Sequence, residues 1–247
     1  MKDLFSNQAG SYAKYRPGYP QQLFDYVLSF VRAKDYAWDC ATGNGQAAIH
    51  LTKYFPKIAA TDISEKQIRR AKAGPGIEYT ICPSEKTPFP DNQFDLITVA
   101  QAYHWLQFDS FFKEATRVGR PEAIVAVWCY GLPISGVQKI DQAVGYFYKD
   151  IVGQYWDKER VYVEEEYRTI PFSFKELPSG DFQFEVEWST QDLLGYLNTW
   201  SSVQHYIQEN KMNPVDAFSN DLNQIWDISK RLTLMFSIHL RLGRIVK

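Results

Sequence analysis

The sequence predicts an α/β fold, a doubly wound and mostly parallel sheet of seven strands with helices on both faces. In the first half, short apolar segments alternate with segments of helical periodicity, and the apolar segments are near-continuous rather than alternating. Strands of that pattern are buried on both faces, so helices must cover the sheet above and below. We predict strands at 36–40, 58–61, 77–82, 94–100, 123–129, 182–188 and 232–240. The direction of the last strand is not set, because helices separate it from its predecessor.

Apolar residues at helical spacing fill the segments between these strands. We predict helices at 20–32, 46–54, 64–73, 108–118, 134–156, 189–208 and 215–229. Ser189 and Asp192 have the spacing of a capping box at the start of one of them. Residues 157–178 mix charges, aromatic residues and two prolines, so we expect a partly irregular cap there, inserted after strand five.

The composition excludes several classes of protein. The 247 residues include 27 basic and 29 acidic side chains and are 45% apolar, an ordinary globular balance without the basic field that nucleic-acid binding requires. Three cysteines without a CxxC pair indicate a reducing compartment and argue against a disulfide framework or a zinc site, so we predict no metal. Without a signal-like N-terminus or a bilayer-length apolar run, we expect a soluble, cytoplasmic protein with no membrane partner.

A glycine-rich turn follows the first predicted strand and carries the strongest functional signal. The run Asp39-Cys40-Ala41-Thr42-Gly43-Asn44-Gly45 leads into the next helix, where backbone can approach a ligand and free N–H groups are available. Asp62 follows the second predicted strand, 19 positions after Gly43, where a carboxylate can accept hydrogen bonds from ribose hydroxyls. The alternatives are a tight turn without a ligand and, for Asp62, a simple helix cap.

The turn departs from the dinucleotide-binding fingerprint, because its glycine spacing is wrong and Ala48 stands where the third glycine belongs. It instead resembles motif I of the class I S-adenosylmethionine-dependent methyltransferases, commonly D-x-G-x-G-x-G. Further segments resemble, in order, the small-molecule branch that includes trans-aconitate methyltransferase-like proteins. They are YAKYRPGYP at 12–20, CPSE at 82–85, PFPDNQFD at 88–95, VAQAYHW at 99–105 and TWSSV at 199–203.

The resemblance implies a Rossmann-like fold, S-adenosyl-L-methionine as the cofactor, and roles for individual residues. Gly43 and the backbone near Ala41 would line the methionine end, and Asp39 would reach the ammonium group directly or through water. Asp62 would bind the ribose diol, and Gln101 would form the floor of the pocket around the sulfonium group of the cofactor. The remaining predicted cofactor contacts are Ser84 and Glu85 beside adenine, Arg16 on the cofactor carboxylate and Tyr12 closing over it.

Two departures from the family pattern affect these roles. Ala41 replaces the first glycine of motif I, and its methyl group fits if φ there is negative, with a slightly tighter approach to the methionine moiety. Pro83 and Ser84 replace the usual acid-containing pair after strand three, so backbone carbonyls or Glu85 would hold the adenine amino group.

The region after strand four supplies the candidate chemistry. His104 would lie beside the transferred methyl group and is a candidate general base, the alternative being a packed or capping histidine. Trp105, Tyr130 and Trp200 are predicted to wall the pocket of the methyl acceptor, although core packing is the alternative for each. Arg16 could instead form a surface salt bridge.

We therefore predict a single methyltransferase domain over residues 1–247 that acts by in-line displacement on a small molecule, with O- or carboxyl-methylation as the reaction. Its parts would be an N-terminal lid and first helix at 1–35, a cofactor-binding core at 36–130, a substrate cap at 131–180, and C-terminal strands and helices at 181–247. The alternatives are a nicotinamide-dependent oxidoreductase and a non-catalytic nucleotide-binding module. A nucleic-acid methyltransferase is disfavoured by the charge balance. The oligomeric state is not readable from the sequence.

Overall fold

An eight-stranded sheet runs through the centre of the computed structural model, which describes residues 15–247. The strand order is β3-β2-β1-β4-β5-β8-β6, and β7 pairs with β8 off that path. The strands are β1 (Tyr36–Cys40), β2 (Lys57–Asp62), β3 (Ile77–Ile81), β4 (Phe94–Ala100), β5 (Gly119–Tyr130), β6 (Lys175–Leu177), β7 (Asp181–Trp188) and β8 (Leu232–Arg244).

Helices and short turns connect the strands. The α-helices are α1 (Gln21–Ser29), α2 (Gln46–Leu51), α3 (Glu65–Ile68), α4 (Phe108–Val118), α5 (Gln138–Tyr146), α6 (Arg160–Glu164), α7 (Thr190–Leu197), α8 (Ser201–Asn210) and α9 (Pro214–Ile225). Tyr103–Trp105 and Gly153–Tyr155 form 3₁₀ turns, and Phe147–Ile151 forms a π-helical turn. No helix within residues 15–247 is both long and apolar enough to cross a membrane.

The sheet direction places a ligand crevice at the carboxyl ends of β1 and β4. Strands β1 to β5 are parallel, and the chain proceeds outward from β1 through β2 to β3 before returning to β4 on the other side of β1. Such a reversal of strand order opens a crevice beyond the strand ends. Strand β8 is antiparallel to β5, β6 and β7, which settles the direction that the sequence leaves open.

Neighbouring residues of β1 pack on opposite faces of the sheet and so join two separate cores. Ala37 lies in a large apolar cluster with Leu23 of α1 and Trp128 of β5. Trp38 lies in a second cluster with Phe111 of α4. Both β1 side chains are wholly buried. Coverage of both faces explains the near-continuous apolar strands and confirms the predicted fold class.

The structure corrects several predicted elements. A three-residue strand, β6, lies inside the predicted cap and makes the strands eight, not seven. The predicted helix at 134–156 is broken into α5 and shorter turns, and the one at 64–73 ends at Ile68, after which the amide of Lys72 donates to the carbonyl of Asn44. The helix at 189–208 is two helices separated at extended Trp200, although the capping box of Ser189 and Asp192 is present.

Candidate active site

The glycine-rich turn adopts a conformation that depends on left-handed backbone. Gly43 and Gly45 have φ of 56° and 80°, and Gly45 is the N-terminal cap of α2. A Cβ at Gly45 would lie 2.1 Å from the Tyr79 hydroxyl, whereas a Cβ at Gly43 would meet nothing within 4 Å. Gly45 is therefore required by local packing, and Gly43 borders open space where a ligand can approach the backbone.

Ala41 has φ of 53°, so the condition of a negative φ, under which its methyl group would fit, is not met. An L-residue with a Cβ in the left-handed region costs about 1–2 kcal/mol relative to glycine. This cost explains why the related motif carries glycine here. The chain tolerates alanine at the cost of local strain.

Ala41→Gly is accordingly expected to raise the free energy of unfolding by about 1 kcal/mol, because glycine relieves that strain at some cost in unfolded-state entropy. Urea unfolding followed by circular dichroism measures the change. Ala73→Gly is the matched control, since Ala73 is exposed, lies outside any helix or strand and has an ordinary φ. A gain no larger than that of the control would contradict the strain at Ala41.

Asp39 lies beneath the glycine-rich turn, and its side chain holds the turn in place by hydrogen bonds. Its wholly buried carboxylate accepts hydrogen bonds from the hydroxyls of Thr42 and Thr98 and from the amide of Ala48. Burial raises the pKa of Asp39 from 3.8 to about 6, although these three hydrogen bonds act in the opposite direction. The carboxylate thus fixes the turn to β4 and α2. Its predicted contact with a ligand ammonium group stays a prediction.

The raised pKa of Asp39 gives stability a defined pH dependence. A carboxyl whose folded-state pKa exceeds its unfolded value stabilises the fold most below pH 4, and the advantage is lost as pH rises through 6. At 1.36 kcal/mol per pH unit between the two values, the loss is about 3 kcal/mol. Urea unfolding between pH 4 and pH 7 should show this decline in the wild type relative to Asp39→Asn, which does not titrate. A pH-independent difference between the two proteins would contradict it.

Asp62 links the end of β2 to the turn and faces the crevice. Its Oδ2 accepts from the amide of Gly43 at 2.9 Å, and its Oδ1 accepts from the amide of Ser64 at 2.8 Å. The side chain is 7% exposed. It therefore sits at the predicted position for hydrogen-bonding a diol, held in place by two backbone donors.

A small cavity of about 60 Å³ lies at the turn, and we name it the loop cavity. The predicted site residues that line it are Ala41, Gly43, Asp62, Gln101 and Trp105. The loop cavity is also lined by four functional candidates that sequence reasoning passed over, Thr42, Asn44, Gln46 and Tyr19. Thr42, Asn44 and Tyr19 lie in the recognised motifs, and Gln46 directly follows one of them.

Ser84 and Glu85 lie outside the lining of the loop cavity. Ser84 is buried and hydrogen-bonds the side chain of Cys40, and the carboxylate of Glu85 accepts from the amide of Gln107 at 3.1 Å. Both contacts attach the loop after β3 to neighbouring elements. Their predicted place beside adenine stays a prediction. Tyr12 lies outside the described residues.

Gln101 forms a rigid wall of the crevice. Its side-chain amide donates to the carbonyl of Tyr130 at 3.1 Å and accepts from the amide of Tyr130 at 2.8 Å. The backbone φ of Gln101 is 55°. The side-chain amide of Gln101 is paired with the backbone of Tyr130, the last residue of β5. The side chain therefore extends the pairing of β4 with β5 beyond the end of β4.

A second cavity of about 30 Å³, which we name the arginine cavity, adjoins the loop cavity. Gln101 and Trp105 line both, so these residues form the shared wall. The other residues that line the arginine cavity are Arg16, His104, Trp156, Arg160, Trp200 and Ser201. The structure thus brings predicted Arg16, His104 and Trp200 together, whereas Tyr130 lies outside both linings.

Arg16 is held against α7 and the residues that follow it. Its Nε donates to the Thr199 hydroxyl at 2.9 Å, and its Nη2 donates to the Thr199 carbonyl at 3.2 Å. Its Nη1 lies 3.4 Å from the Tyr130 hydroxyl, and the guanidinium lies over the ring of Tyr196. These contacts lie where the predicted long helix is interrupted, and they place a positive charge beside the arginine cavity.

Arg160 of α6 supplies a second positive charge that sequence reasoning missed. Its Nε donates to the Tyr148 hydroxyl at 2.8 Å, and its guanidinium lies 4.6 Å from the centre of the Trp156 ring. Its Nη atoms form no hydrogen bond or ion pair within residues 15–247. Arg160 also lines a cap cavity of about 770 Å³ that extends past Tyr148 and His239.

His104 is buried, with Nδ1 2.7 Å from the Tyr167 hydroxyl. Burial, and to a lesser extent the charges of Arg160 and Arg16, lowers the pKa of His104 from 6.5 to about 3. The ring is therefore neutral at physiological pH and a weak proton acceptor. Nothing in the spacing of the sequence places Tyr167 here, because it lies 63 positions after His104.

No group of three or more metal-binding side chains is present in the described part of the chain.

Comparison with known proteins shows that the chain is similar to methyltransferases. Residues 38–127 match the model of a methyltransferase domain. A Dictyostelium discoideum protein named as a methyltransferase is 30% identical over 249 residues, which cover 98% of this chain and 95% of that protein. A Saccharomyces cerevisiae protein named as an S-adenosylmethionine-dependent methyltransferase is 20% identical, with 88% of each chain covered.

A solved structure agrees with the fold. The type II methyltransferase of Anaeromyxobacter dehalogenans superimposes with a TM-score of 0.85 at 36% identity, covering 94% of this chain and 99% of that one. The similarity therefore extends through the cap and the C-terminal strands as well as the glycine-rich turn.

Proposed function

Because the chain belongs to the S-adenosylmethionine-dependent methyltransferases, we propose that it transfers the methyl group to a small-molecule acceptor by in-line displacement, with a carboxylate or other oxygen as the receiving group. The observation that carries this proposal is the pair of adjoining cavities. One carries the glycine-rich turn and Asp62, the other carries Arg16 and Arg160, and the two share a wall of Gln101 and Trp105.

The groups around the loop cavity, rather than its volume of about 60 Å³, suit the cosubstrate. Open space lies over Gly43, and Asp62 is positioned for the ribose diol. The Nδ2 atom of Asn44 is enclosed and has no hydrogen-bond partner in the described residues, which is costly unless a ligand supplies an acceptor. When bound there, S-adenosylmethionine supplies a methyl group activated on a positively charged sulfur. Gly43, Asn44 and Asp62 would hold it.

The side chains around the arginine cavity, rather than its volume of about 30 Å³, suit an anionic methyl acceptor. Two guanidinium groups and a neutral histidine line it, and no acidic side chain of residues 15–247 does. Arg160 has terminal nitrogens that hydrogen-bond no described residue, and arginine binds carboxylates in bidentate geometry. Trp105, Trp156 and Trp200 provide apolar walls that exclude water. The motif resemblance to trans-aconitate methyltransferase-like proteins also favours a carboxylate.

Alignment is the main contribution of the protein to the reaction. An oxygen lone pair of the methyl acceptor forms the new bond to carbon while the carbon–sulfur bond breaks, so the two groups must lie in line. Holding them so is worth roughly 7–11 kcal/mol of the barrier. A carboxylate needs no general base, whereas a hydroxyl needs one. The pKa of about 3 at His104 favours the carboxylate, because so weak a base accepts a proton poorly at neutral pH.

Binding and labelling experiments test this function. S-adenosylhomocysteine should bind in calorimetry and NAD should not. Metabolite extract incubated with cosubstrate carrying a tritiated methyl group should yield a labelled product, and mild alkali should release volatile methanol from it if the product is a methyl ester. Binding of NAD instead would favour the oxidoreductase, and binding of neither would favour the non-catalytic module.

Arg160→Gln tests the arginine cavity in the same assay. It should lower incorporation while leaving affinity for S-adenosylhomocysteine unchanged. Arg69→Gln is the matched control, since Arg69 is an exposed arginine paired with Glu65 on α3. Equal incorporation by the wild type and Arg160→Gln would remove Arg160 from recognition of the methyl acceptor.

A further inference from the structure

Tyr167 lies behind His104 in a strained and firmly held position. Its side chain is wholly buried, and its φ is 60°, in the left-handed region that a bulky residue rarely adopts. Arg241 donates to its carbonyl at 2.9 Å. Its ring lies against His104 and Tyr103. Such constraint on a non-glycine residue is typical of functional sites.

The hydrogen bond between Tyr167 and His104 has a direction that can be deduced. Buried side-chain polar groups nearly always have a hydrogen-bond partner, so the hydrogen of the Tyr167 hydroxyl requires an acceptor. Within residues 15–247, Nδ1 of His104 is the acceptor in reach of the Tyr167 hydroxyl, at 2.7 Å. The hydroxyl therefore gives its hydrogen to Nδ1.

We infer that Tyr167 is a positioning residue that fixes the proton of the His104 ring on Nε2, so that His104 presents an N–H donor to the methyl acceptor. In a neutral imidazole one nitrogen carries the hydrogen and the other accepts. Nε2 hydrogen-bonds no described residue and is not among the enclosed unpaired atoms, so it faces the space beside the ring. The arginine cavity borders that ring.

This inference rests on the proposed function for the nature of the ligand. It replaces the predicted role of His104 as a general base. With Arg16 and Arg160, the cavity then presents donors from three side chains. An oxyanion on the methyl acceptor can accept hydrogen bonds from all three side chains. A group that must first lose a proton would need a general base, and His104 does not provide one. Tyr167 acts through His104 and touches no reacting atom.

Nitrogen NMR of the ligand-free protein tests the tautomer independently of methyl transfer. Two-bond ¹H–¹⁵N spectra identify the protonated ring nitrogen, and His104→Gln assigns the signal among the four histidines. The wild type should show hydrogen on Nε2, and Tyr167→Phe should convert the signal to a mixture of tautomers. Tyr103→Phe is the matched control, because Tyr103 is buried nearby but its hydroxyl bonds the Pro171 carbonyl. Hydrogen on Nδ1 in the wild type, or no change in Tyr167→Phe, would overturn the inference.

Kinetics with the methyl acceptor that the labelling screen identifies provide a second measurement. Glutamine offers an N–H at the position of Nε2 but cannot act as a base. His104→Gln should keep KM for the acceptor within about threefold, whereas His104→Leu should raise it about tenfold, as expected for one lost hydrogen bond. Equal impairment of the two variants would contradict the donor role. A failure of methyl transfer itself would leave the NMR result intact.

Discussion

Asp62→Ala is expected to weaken binding of S-adenosylhomocysteine about 100-fold. Two ribose hydroxyls bound to one carboxylate are worth about 3 kcal/mol, since hydrogen bonds to charged groups contribute about 1.5–3 kcal/mol each. The carboxylate also accepts from the amides of Gly43 and Ser64, so the variant additionally loosens the turn. Calorimetric titration measures the affinity, and thermal unfolding measures the loss of stability.

Asp95→Ala separates these two effects. Asp95 is a buried carboxylate at the start of β4, where it accepts from the amides of Asp35 and Tyr36 and pairs with Arg120. It lies at the opposite end of the strand from Gln101. Its removal should lower stability comparably and leave affinity unchanged. If both alanine variants bound S-adenosylhomocysteine as the wild type does, Asp62 would have no part in the cosubstrate site.

Gly45→Ala is expected to lower the free energy of unfolding by about 3 kcal/mol. Left-handed backbone costs an alanine about 1–2 kcal/mol. The added methyl group would also lie 2.1 Å from the Tyr79 hydroxyl, which donates to the carbonyl of Lys72 at 2.7 Å, so that bond must break. For a chain of this length the melting temperature should fall by roughly 10 °C in differential scanning calorimetry.

Gly43→Ala is the matched variant, because its backbone is also left-handed but its Cβ would meet nothing within 4 Å. It should cost only about 1–2 kcal/mol of stability. The methyl group would project into space that the cosubstrate needs, so affinity for S-adenosylhomocysteine should drop at least tenfold. Equal stability losses in the two variants would show that contact with Tyr79 does not matter.

The core of the fold could be predicted because each of its first five strands is buried on both faces. Ala37 and Trp38 belong to opposite clusters, which is the arrangement that a continuous apolar run implies. Strand β6 could not be predicted, since it has three residues and depends on pairing with distant β8. Helical periodicity likewise persists through Trp200, where the contacts of Arg16 with Thr199 accompany a break in the helix.

The candidate site likewise has one part that could be predicted from the sequence and one part that could not. Contiguous motifs place several predicted residues at the loop cavity, because a strand end and its turn determine where Gly43 and Gln101 lie. The positive φ of Ala41 could not be predicted, because the sign of φ is a property of the closed turn. Arg160 and Tyr167 are brought to His104 by the packing of the cap, and no local spacing encodes that approach. Long-range packing therefore determines the side of the candidate site that we propose for the methyl acceptor.

Strand β8 joins parts of the chain that are far apart in the sequence. One 13-residue strand pairs with β5 along one edge and with β7 and β6 along the other. During synthesis the edge of β5 that pairs with β8 must therefore stay uncovered while the cap and the helices between the two strands are made. Fragments that lack β8 would expose a template for intermolecular strand pairing. We expect such fragments to depend on chaperones.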